Sequence, residues 1–431
     1  MAPTKEQYEI IFNTIRNILS GLLICEDTDY EKILKLLMQY NDNLYYLEPI
    51  PIILENIPAL KKIVHLFNEC QDNAINKRLC LLISRLCTLT NSNVGRKLIE
   101  QGALGGCMRL LYSTDVEIQS LASQCIASII HNDRDTSNIL SERNAHEISI
   151  RNMKSLIERG YTRSDNATLL NMLHGFSYLN QHLNSAQLER TIDETLNFYS
   201  YILDPKFTFQ SDIYLRIGSG IQNLCQSNLD ITISKFIKYH LLDRMIDLLL
   251  EDTNHHQFTI FGLFILIRVA PDEYIPRFAK HLSVFMLNSA SYSLYQFFSG
   301  ISTLVNMEKF DLIQENQLIQ RVFLAKKNPD YFYSLLETFK EIVDRAPVEM
   351  LQQTIYSTNV ITLICNYTEG KPIQQNIYPT LISFLKKVLQ KYKANAQSLS
   401  NPAPQFKESS IQNDITILKE IPEFRKPYWD I

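Results

Sequence analysis

Turn-forming residues are scarce in this sequence. Only 12 of its 431 residues are glycine and 15 are proline, whereas a large β-rich protein needs many more residues of these types. The formal net charge of −4 is small and provides no basic face of the kind that binds nucleic acid. Hydrophobic residues make up 45% of the chain, which excludes disorder throughout. The composition therefore favours packed helices joined by short connections and indicates no nucleic-acid partner.

Long apolar runs are also missing. The longest, Phe258–Ile267, is well short of the roughly 20 residues that cross a bilayer, so no membrane span is expected. The first residues, Met-Ala-Pro-Thr-Lys-Glu, are polar where a secretion signal would be apolar. We therefore expect a cytoplasmic protein, with the nucleus or an association with the cytoskeleton as alternatives.

The cysteines and histidines do not form a chemical site. The eight cysteines contain no Cys-x-x-Cys pair, and most lie in apolar helical stretches, so we expect reduced, buried side chains. His255 and His256 are adjacent, but neighbouring residues on a helix do not share a face, and a solvated turn is the better interpretation. No phosphate-binding loop, nucleophile elbow or His-Glu-x-x-His motif occurs. The sequence predicts no catalytic residue, no metal and no cofactor, and a protein that is not an enzyme.

In one segment, Asn93–Asn132, the sequence predicts the individual helices and the turns between them. A short helix is expected to end at Gly102, since glycine readily takes the left-handed conformation that turns the chain. A second helix should follow, and Asp115 should cap a third. The third helix repeats apolar residues every three to four positions from Ile118 to Ile130.

This unit resembles an armadillo repeat, with its Gly-Ala-Leu turn, Leu-Leu-x-Ser-x-Asp connection and small residues in the third helix. The resemblance implies an all-α, right-handed α-solenoid of about eight armadillo-like repeats with a helical N-terminal cap. The apparent second-helix starts are spaced close to the family period of roughly 40 to 47 residues. They are Ile57, Ala103, Ile148, Ile192, Leu241, Leu282, Ile319 and Val360. We expect a cap over 1–44, the solenoid over 45–393 and a linker and tail over 394–431.

Nuclear-import adaptors of the armadillo family carry asparagines on successive third helices, each four residues after a tryptophan. The matching column here is Arg85, Ser128, Tyr178, Asn223, Arg268, Thr303, Ile342 and Lys387. The positions four residues earlier are Leu81, Gln124, His174, Ser219, Phe264, Ser299, Thr338 and Ser383. One asparagine and no tryptophan argue against recognition of import signals. The candidate partner-binding residues are Arg85, Tyr178, Asn223, Arg268 and Lys387, and the basic members suit an acidic or phosphorylated segment. The alternative is that they are merely solvated.

Two smaller clusters have structural and functional interpretations. Aromatic residues gather at 292–298 and 331–333, where they form either core or an exposed binding face. The acidic stretch Glu26–Asp29 is expected to be an ordinary turn with Asp29 as a helix cap.

The sequence thus predicts a non-catalytic scaffold or adaptor that holds a protein partner along the solenoid, with an extended or acidic segment of the partner as the candidate ligand. Two alternatives remain open. One is a regulator of a nucleotide-binding partner, of the kind that exchanges nucleotide on chaperones or small GTPases. The other is a divergent nuclear-transport adaptor. Fold analogy does not decide among these.

Overall fold

The computed structural model describes residues 5–43, 56–88, 93–227, 229–250, 260–288 and 293–318, and a few positions between 338 and 347. Every regular element within these ranges is a helix, which confirms the predicted all-α class. The chain divides into two compact units, Met1–Arg244 and Met245–Ile431. The predicted boundaries at 44 and 393 fall outside the described residues and stay predictions, as does the count of eight repeats.

The helices are short and closely spaced along the chain. The first are α1 (Lys5–Ile24), α2 (Tyr30–Asn43), α3 (Ile57–Glu69), α4 (Asn73–Thr88), α5 (Asn93–Glu100), α6 (Ala103–Leu111) and α7 (Val116–Asn132). Next come α8 (Thr136–Glu142), α9 (Ala145–Glu158), α10 (Asn166–Leu179), α11 (Ser185–Ile202), α12 (Ser211–Ser227) and α13 (Leu229–Lys238). The last are α14 (Leu241–Asp247), α15 (Ile260–Leu266), α16 (Tyr274–Asn288), α17 (Ser293–Asn306) and α18 (Phe310–Glu315).

The repeat formed by α5, α6 and α7 has the predicted local structure. Gly102 has φ 92° and ψ 19°, the left-handed conformation in which a side chain would be strained. The Asp115 carboxylate caps α7 by accepting hydrogen bonds from the amides of Glu117 (2.9 Å) and Ile118 (3.3 Å). Both local predictions are confirmed.

Three of the predicted second-helix starts coincide with observed starts, and three fall inside helices. Ile57, Ala103 and Leu241 are the first residues of α3, α6 and α14. The predictions at Ile148, Ile192 and Leu282 fall inside helices that begin at Ala145, Ser185 and Tyr274. Burial in these three helices begins earlier, at Ala145, Leu188 and Ile275, so a later apolar residue of the same pattern does not mark the first turn. Ile319 and Val360 lie outside the described residues.

The repeats also differ in their number of helices. The repeat formed by α8, α9 and α10 has three helices. The repeat formed by α11 and α12 has only two helices, because a short turn replaces the first helix before Ser185. The segment α16, α17 likewise has two.

A recurring hydrogen bond joins successive second helices. Each time, a side chain donates to a backbone carbonyl near the C-terminal end of the preceding second helix, where orphan carbonyls need donors. In the first unit these pairs are Arg109 Nη2 to Phe67 O (2.9 Å), Asn152 Nδ2 to Leu111 O (2.8 Å) and Arg244 Nε to Leu203 O (3.0 Å). In the second unit the His281 Nδ1 lies 3.2 Å from Ile246 O. The chemistry of the side chain varies while its place in the repeat is kept.

The cores are apolar and contain the cysteines. All seven cysteines in the described ranges are buried and unpaired, as predicted, and Cys365 lies outside those ranges. Burial raises the pKa of the Cys87 thiol to about 12, so this side chain stays protonated and unreactive. Phe297 and Phe298 are also buried, which assigns this part of the aromatic cluster to the core. Tyr331 to Tyr333 lie outside the described residues.

The acidic stretch before α2 is a structural turn, as predicted. The Asp29 carboxylate accepts a hydrogen bond from the Lys32 amide (3.2 Å), and Asp27 forms ion pairs with Lys62 and His65 on α3. Within the described helices, none is long and apolar enough to cross a membrane.

Candidate functional site

The third helices of the first unit lie side by side. Helix α7 packs between α4 and α10, and α10 in turn contacts α12. On α7 the residues Ala122, Cys125 and Ile129 are buried, whereas Gln124 and Ser128 on another face are only partly buried. A stripe at a spacing of three to four residues lies on one face of a helix, so each third helix presents a polar stripe. Neighbouring stripes together form a polar surface.

This surface contains a cavity of about 410 Å³, which we call the third-helix pocket. Helix α7 contributes Gln124, Ser128 and His131, and α10 contributes Asn171, His174 and Tyr178. Helix α4 contributes Ser84 and Thr88, and α12 contributes Arg216. None of the described lining residues is acidic, and the pocket therefore presents one permanent positive charge, on Arg216, among neutral side chains that both donate and accept hydrogen bonds.

The aromatic rings in the pocket are ordered by stacking. The His174 and Tyr178 rings are stacked, with centroids 5.1 Å apart and an interplanar angle of 27°. The ring of His131, on the neighbouring helix, meets Tyr178 edge-on at 6.1 Å. Offset and edge-to-face contacts of this kind hold rings in fixed orientations. Tyr178 thus joins the two histidines into one wall of the pocket.

Burial, together with the neighbouring Arg216 and His131, lowers the pKa of His174 to about 4. The imidazole is therefore neutral at pH 7 in the ligand-free protein. It carries one N–H donor and one acceptor in this state.

The polar side chains of the pocket differ in whether they already form hydrogen bonds within the described chain. Ser84 and Ser128 join α4 to α7 through their hydroxyls (2.9 Å), and Asn171 donates to the Ser120 hydroxyl (3.2 Å). By contrast, the side chains of Gln124 and Arg216 form no hydrogen bond or ion pair with any residue that the structure describes. Half-buried donors without a partner are what a polar ligand requires.

The structure separates the five predicted partner-binding residues. Tyr178 lines the third-helix pocket, and Arg85 is half-buried on α4, next to Ser84 in the chain. Asn223 on α12 instead donates its amide to the Ser177 carbonyl (2.9 Å) and hydroxyl (3.2 Å), so it connects two helices. Arg268 follows the end of α15 at Leu266 and is not on a third helix. Lys387 lies outside the described residues.

The predicted column also fails at other positions of the second unit. Thr303 on α17 is fully buried and donates its hydroxyl to the Ser299 carbonyl (2.8 Å), and Ile342 is buried too. These two positions of the column are therefore not exposed, because spacing alone does not show how far a helix extends or which face it buries.

Sequence reasoning missed Arg216, Asn171 and His131. Arg216 and Asn171 lie two helical turns before Asn223 and Tyr178, so extending the column by one more turn along each stripe would have found them. His131 lies three residues after Ser128, at the last turn of the same stripe on α7. The His255–His256 pair lies outside the described residues. Over the part of the chain that is described, no three or more metal-ligating side chains come together.

Comparisons with known proteins show the fold. No family model matches the chain, and no curated protein matches it. An engineered protein of known structure is 14% identical and aligns over 94% of this chain and 98% of its own, with a TM-score of 0.62. A designed armadillo repeat protein aligns over 59% of this chain and 99% of its own, at 17% identity and a TM-score of 0.46. Another, solved in complex with the peptide (KR)4, aligns over 57% of this chain and 98% of its own, at 17% identity and a TM-score of 0.45. The protein has an armadillo-like helical repeat fold.

Proposed function

We propose that this protein is a non-catalytic scaffold or adaptor, and that the polar surface around the third-helix pocket binds an extended segment of a partner protein. One observation carries the proposal. Polar side chains from four neighbouring third helices meet in one cavity, and two of them, Gln124 and Arg216, form no hydrogen bond or ion pair with the described residues.

The spacing of the helices suits an extended ligand. Packed helices lie roughly 8 to 10 Å apart, and an extended chain advances roughly 3.3 Å per residue. About three ligand residues therefore pass each third helix. The backbone of such a segment needs hydrogen-bond partners when it leaves water, and Gln124, Ser128 and Tyr178 offer them at successive positions.

The charge of the surface favours an acidic or phosphorylated segment over a basic one. Arg216 lines the pocket, Arg85 lies on α4, and none of the described lining residues is acidic. Arg216 would repel a lysine-rich segment, whereas a segment with negative charges would gain charge-assisted hydrogen bonds.

The test uses a library of random peptides displayed on phage and selected on the immobilised protein. Ser128→Arg fills the pocket from α7 with a long side chain, and we expect the selected peptides to lose measurable binding to this variant. Ser155→Arg is the matched control, because it makes the same change at an exposed position of α9. The control should bind the peptides as the wild type does. Peptides that bind both variants equally, or a selection that enriches none, would disprove the proposal.

A further inference from the structure

The third-helix pocket contains two donor groups that have no partner in the described chain. Arg216 presents a planar guanidinium with five N–H groups, and Gln124 adds an amide. Neither has a hydrogen-bonding or ionic partner in the described chain. A half-buried guanidinium is usually paired with an anion, since a charge that has lost part of its hydration needs compensation. The pocket supplies no such anion from its described lining.

We propose that the third-helix pocket binds the phosphate group of a phosphorylated serine or threonine on the bound segment, and that His174 takes up a proton when it does so. This inference rests on the proposed function, because the phosphate is carried by the segment that lies along the third helices. The inference goes further than the proposed function because it specifies that the pocket selects a phosphorylated side chain of that segment.

The arrangement of donors favours a phosphate over a carboxylate. A carboxylate has two oxygens, which Arg216 alone would satisfy through a bidentate contact. A phosphate has three terminal oxygens and a charge of about −1.5 to −2 at pH 7. Arg216 on α12, Gln124 on α7 and His174 on α10 approach the cavity from three helices. Three donors from three directions match a tetrahedral anion better than a planar one.

His174 is the group in this pocket whose charge an anion would change. It faces Arg216 from α12 and His131 from α7, and it stacks on Tyr178 of its own helix, while α4 contributes the uncharged Ser84 and Thr88. The pKa of His174 is about 4 without a ligand, and a bound dianion compensates the charge of Arg216 and favours the imidazolium. The neutral imidazole then becomes a second charged donor.

Binding should therefore depend on pH in a way that a carboxylate would not reproduce. As the pH falls, proton uptake by His174 favours binding, from the raised pKa of His174 in the complex down to its pKa of about 4 in the free protein. Below about pH 6 the phosphate itself is protonated and loses charge, so that binding weakens again. A carboxylate keeps its charge down to about pH 4 and shows no such decline near pH 6.

The experiment uses three small probes, namely N-acetyl-O-phosphoserine N-methylamide and the corresponding serine and glutamate derivatives. Binding is followed through the imidazole signals of protein labelled with ¹³C-histidine, in which His174 is identified by its absence in His174→Gln. We expect the phosphoserine probe to bind about tenfold more tightly than the glutamate probe, the serine probe not to bind, and added salt to weaken binding. The His174 signal should move towards that of the protonated ring on binding.

Variants assign the effect to residues. Arg216→Gln removes the charge and should weaken binding of the phosphoserine probe by about tenfold or more. Arg143→Gln is the matched control, because this arginine is exposed and outside the pocket, and its binding should equal that of the wild type. His174→Gln keeps a neutral donor, so binding should persist but weaken more steeply than that of the wild type as the pH falls below about 6. Calorimetry of the wild type in buffers of different ionisation enthalpy measures the proton uptake directly, without any variant.

The outcomes separate this inference from the proposed function. Equal binding of the phosphoserine and glutamate probes, equal binding of inorganic phosphate and the phosphoserine probe, or no proton uptake would overturn the inference. In each case the peptides selected on the wild type and lost by Ser128→Arg would still support a peptide-binding surface. Phosphoserine binding that survives Arg216→Gln would overturn the assignment to this pocket.

Discussion

The two units use the same repeat position differently. On α10 of the first unit, Tyr178 is half-exposed and lines the third-helix pocket, whereas on α17 of the second unit Thr303 occupies the corresponding column, is fully buried and bonds back to Ser299. Helix α15 ends at Leu266, two residues before the predicted position of Arg268. The residues of this column therefore form an exposed surface only where a third helix is long enough and no other residues cover its polar stripe.

Close packing of the third helices distinguishes the first unit further. Gly175 on α10 lies directly against the backbone of Ser123 on α7, and a Cβ atom there would be 2.8 Å from the Ser123 carbonyl carbon. In the second unit, a Cβ atom at Gly300 of α17 would be 2.7 Å from the Leu282 Cδ2, which is the end of a side chain. A side chain can rotate away, whereas a backbone carbonyl in a helix cannot.

The largest effect that we predict tests this difference. Gly175→Ala should destabilise the first unit by about 3 kcal/mol, because α10 must move away from α7. Gly300→Ala should cost the second unit about 1 kcal/mol or less, since Leu282 can yield and alanine favours the helix. Urea unfolding measures the loss in the free energy of unfolding for the whole chain. Hydrogen exchange of amides in α10 and α17 shows which unit is destabilised. Equal losses would show that the packing of third helices does not distinguish the units.

The second prediction compares a histidine of each unit. His146 on α9 is fully buried, and burial lowers its pKa from 6.5 to about 4. The unfolded chain therefore binds a proton that the folded first unit excludes. The exclusion of this proton by His146 costs no stability above about pH 6.5. As the pH falls from there to about 4, the free energy of unfolding decreases by about 3 kcal/mol.

The check is the pH dependence of urea unfolding between pH 7 and 4. His146→Leu should flatten the decline, since leucine binds no proton. His281→Leu is the control in the second unit, where the imidazole lies 3.8 Å from the Asp247 carboxylate and is not fully buried. It should leave the decline of the first unit unchanged. A wild-type decline that persists in His146→Leu would assign the effect to other groups.

What the sequence revealed depended on the range of the interactions. Local features were predictable: Gly102 and Asp115 act within one or two turns, and their conformations follow from side-chain chemistry alone. The pocket was only partly predictable, because Tyr178 and His174 lie in the aligned columns whereas Arg216 lies one helical turn before the column positions on α12. Whether Asn223 points outward or bonds to Ser177 depends on the neighbouring helix, which a pattern of spacings does not contain.

The smallest effects on stability, and the clearest contrast in binding, are expected from two arginines. Arg85 on α4 and Arg268 after α15 were predicted as equivalent members of one column, but only Arg85 lies on a third helix beside a pocket residue. Arg85→Glu places a negative charge near the third-helix pocket. It should weaken capture of peptides selected on the wild type, and more so at low salt, because exposed charges are screened. Arg268→Glu should leave capture unchanged.

Arg268→Glu should lower the free energy of unfolding by no more than about 0.5 kcal/mol. Arg85→Glu, at a half-buried position, should lower it by no more than about 1 kcal/mol. Glu9→Lys on α1, an exposed charge reversal, should affect neither binding nor stability and serves as the control. If Arg268→Glu weakens capture as strongly as Arg85→Glu, the segment reaches the second unit as well, and the column is functionally continuous despite the end of α15 at Leu266. If only Arg85→Glu does so, binding is confined to the first unit, where the polar stripes remain uncovered.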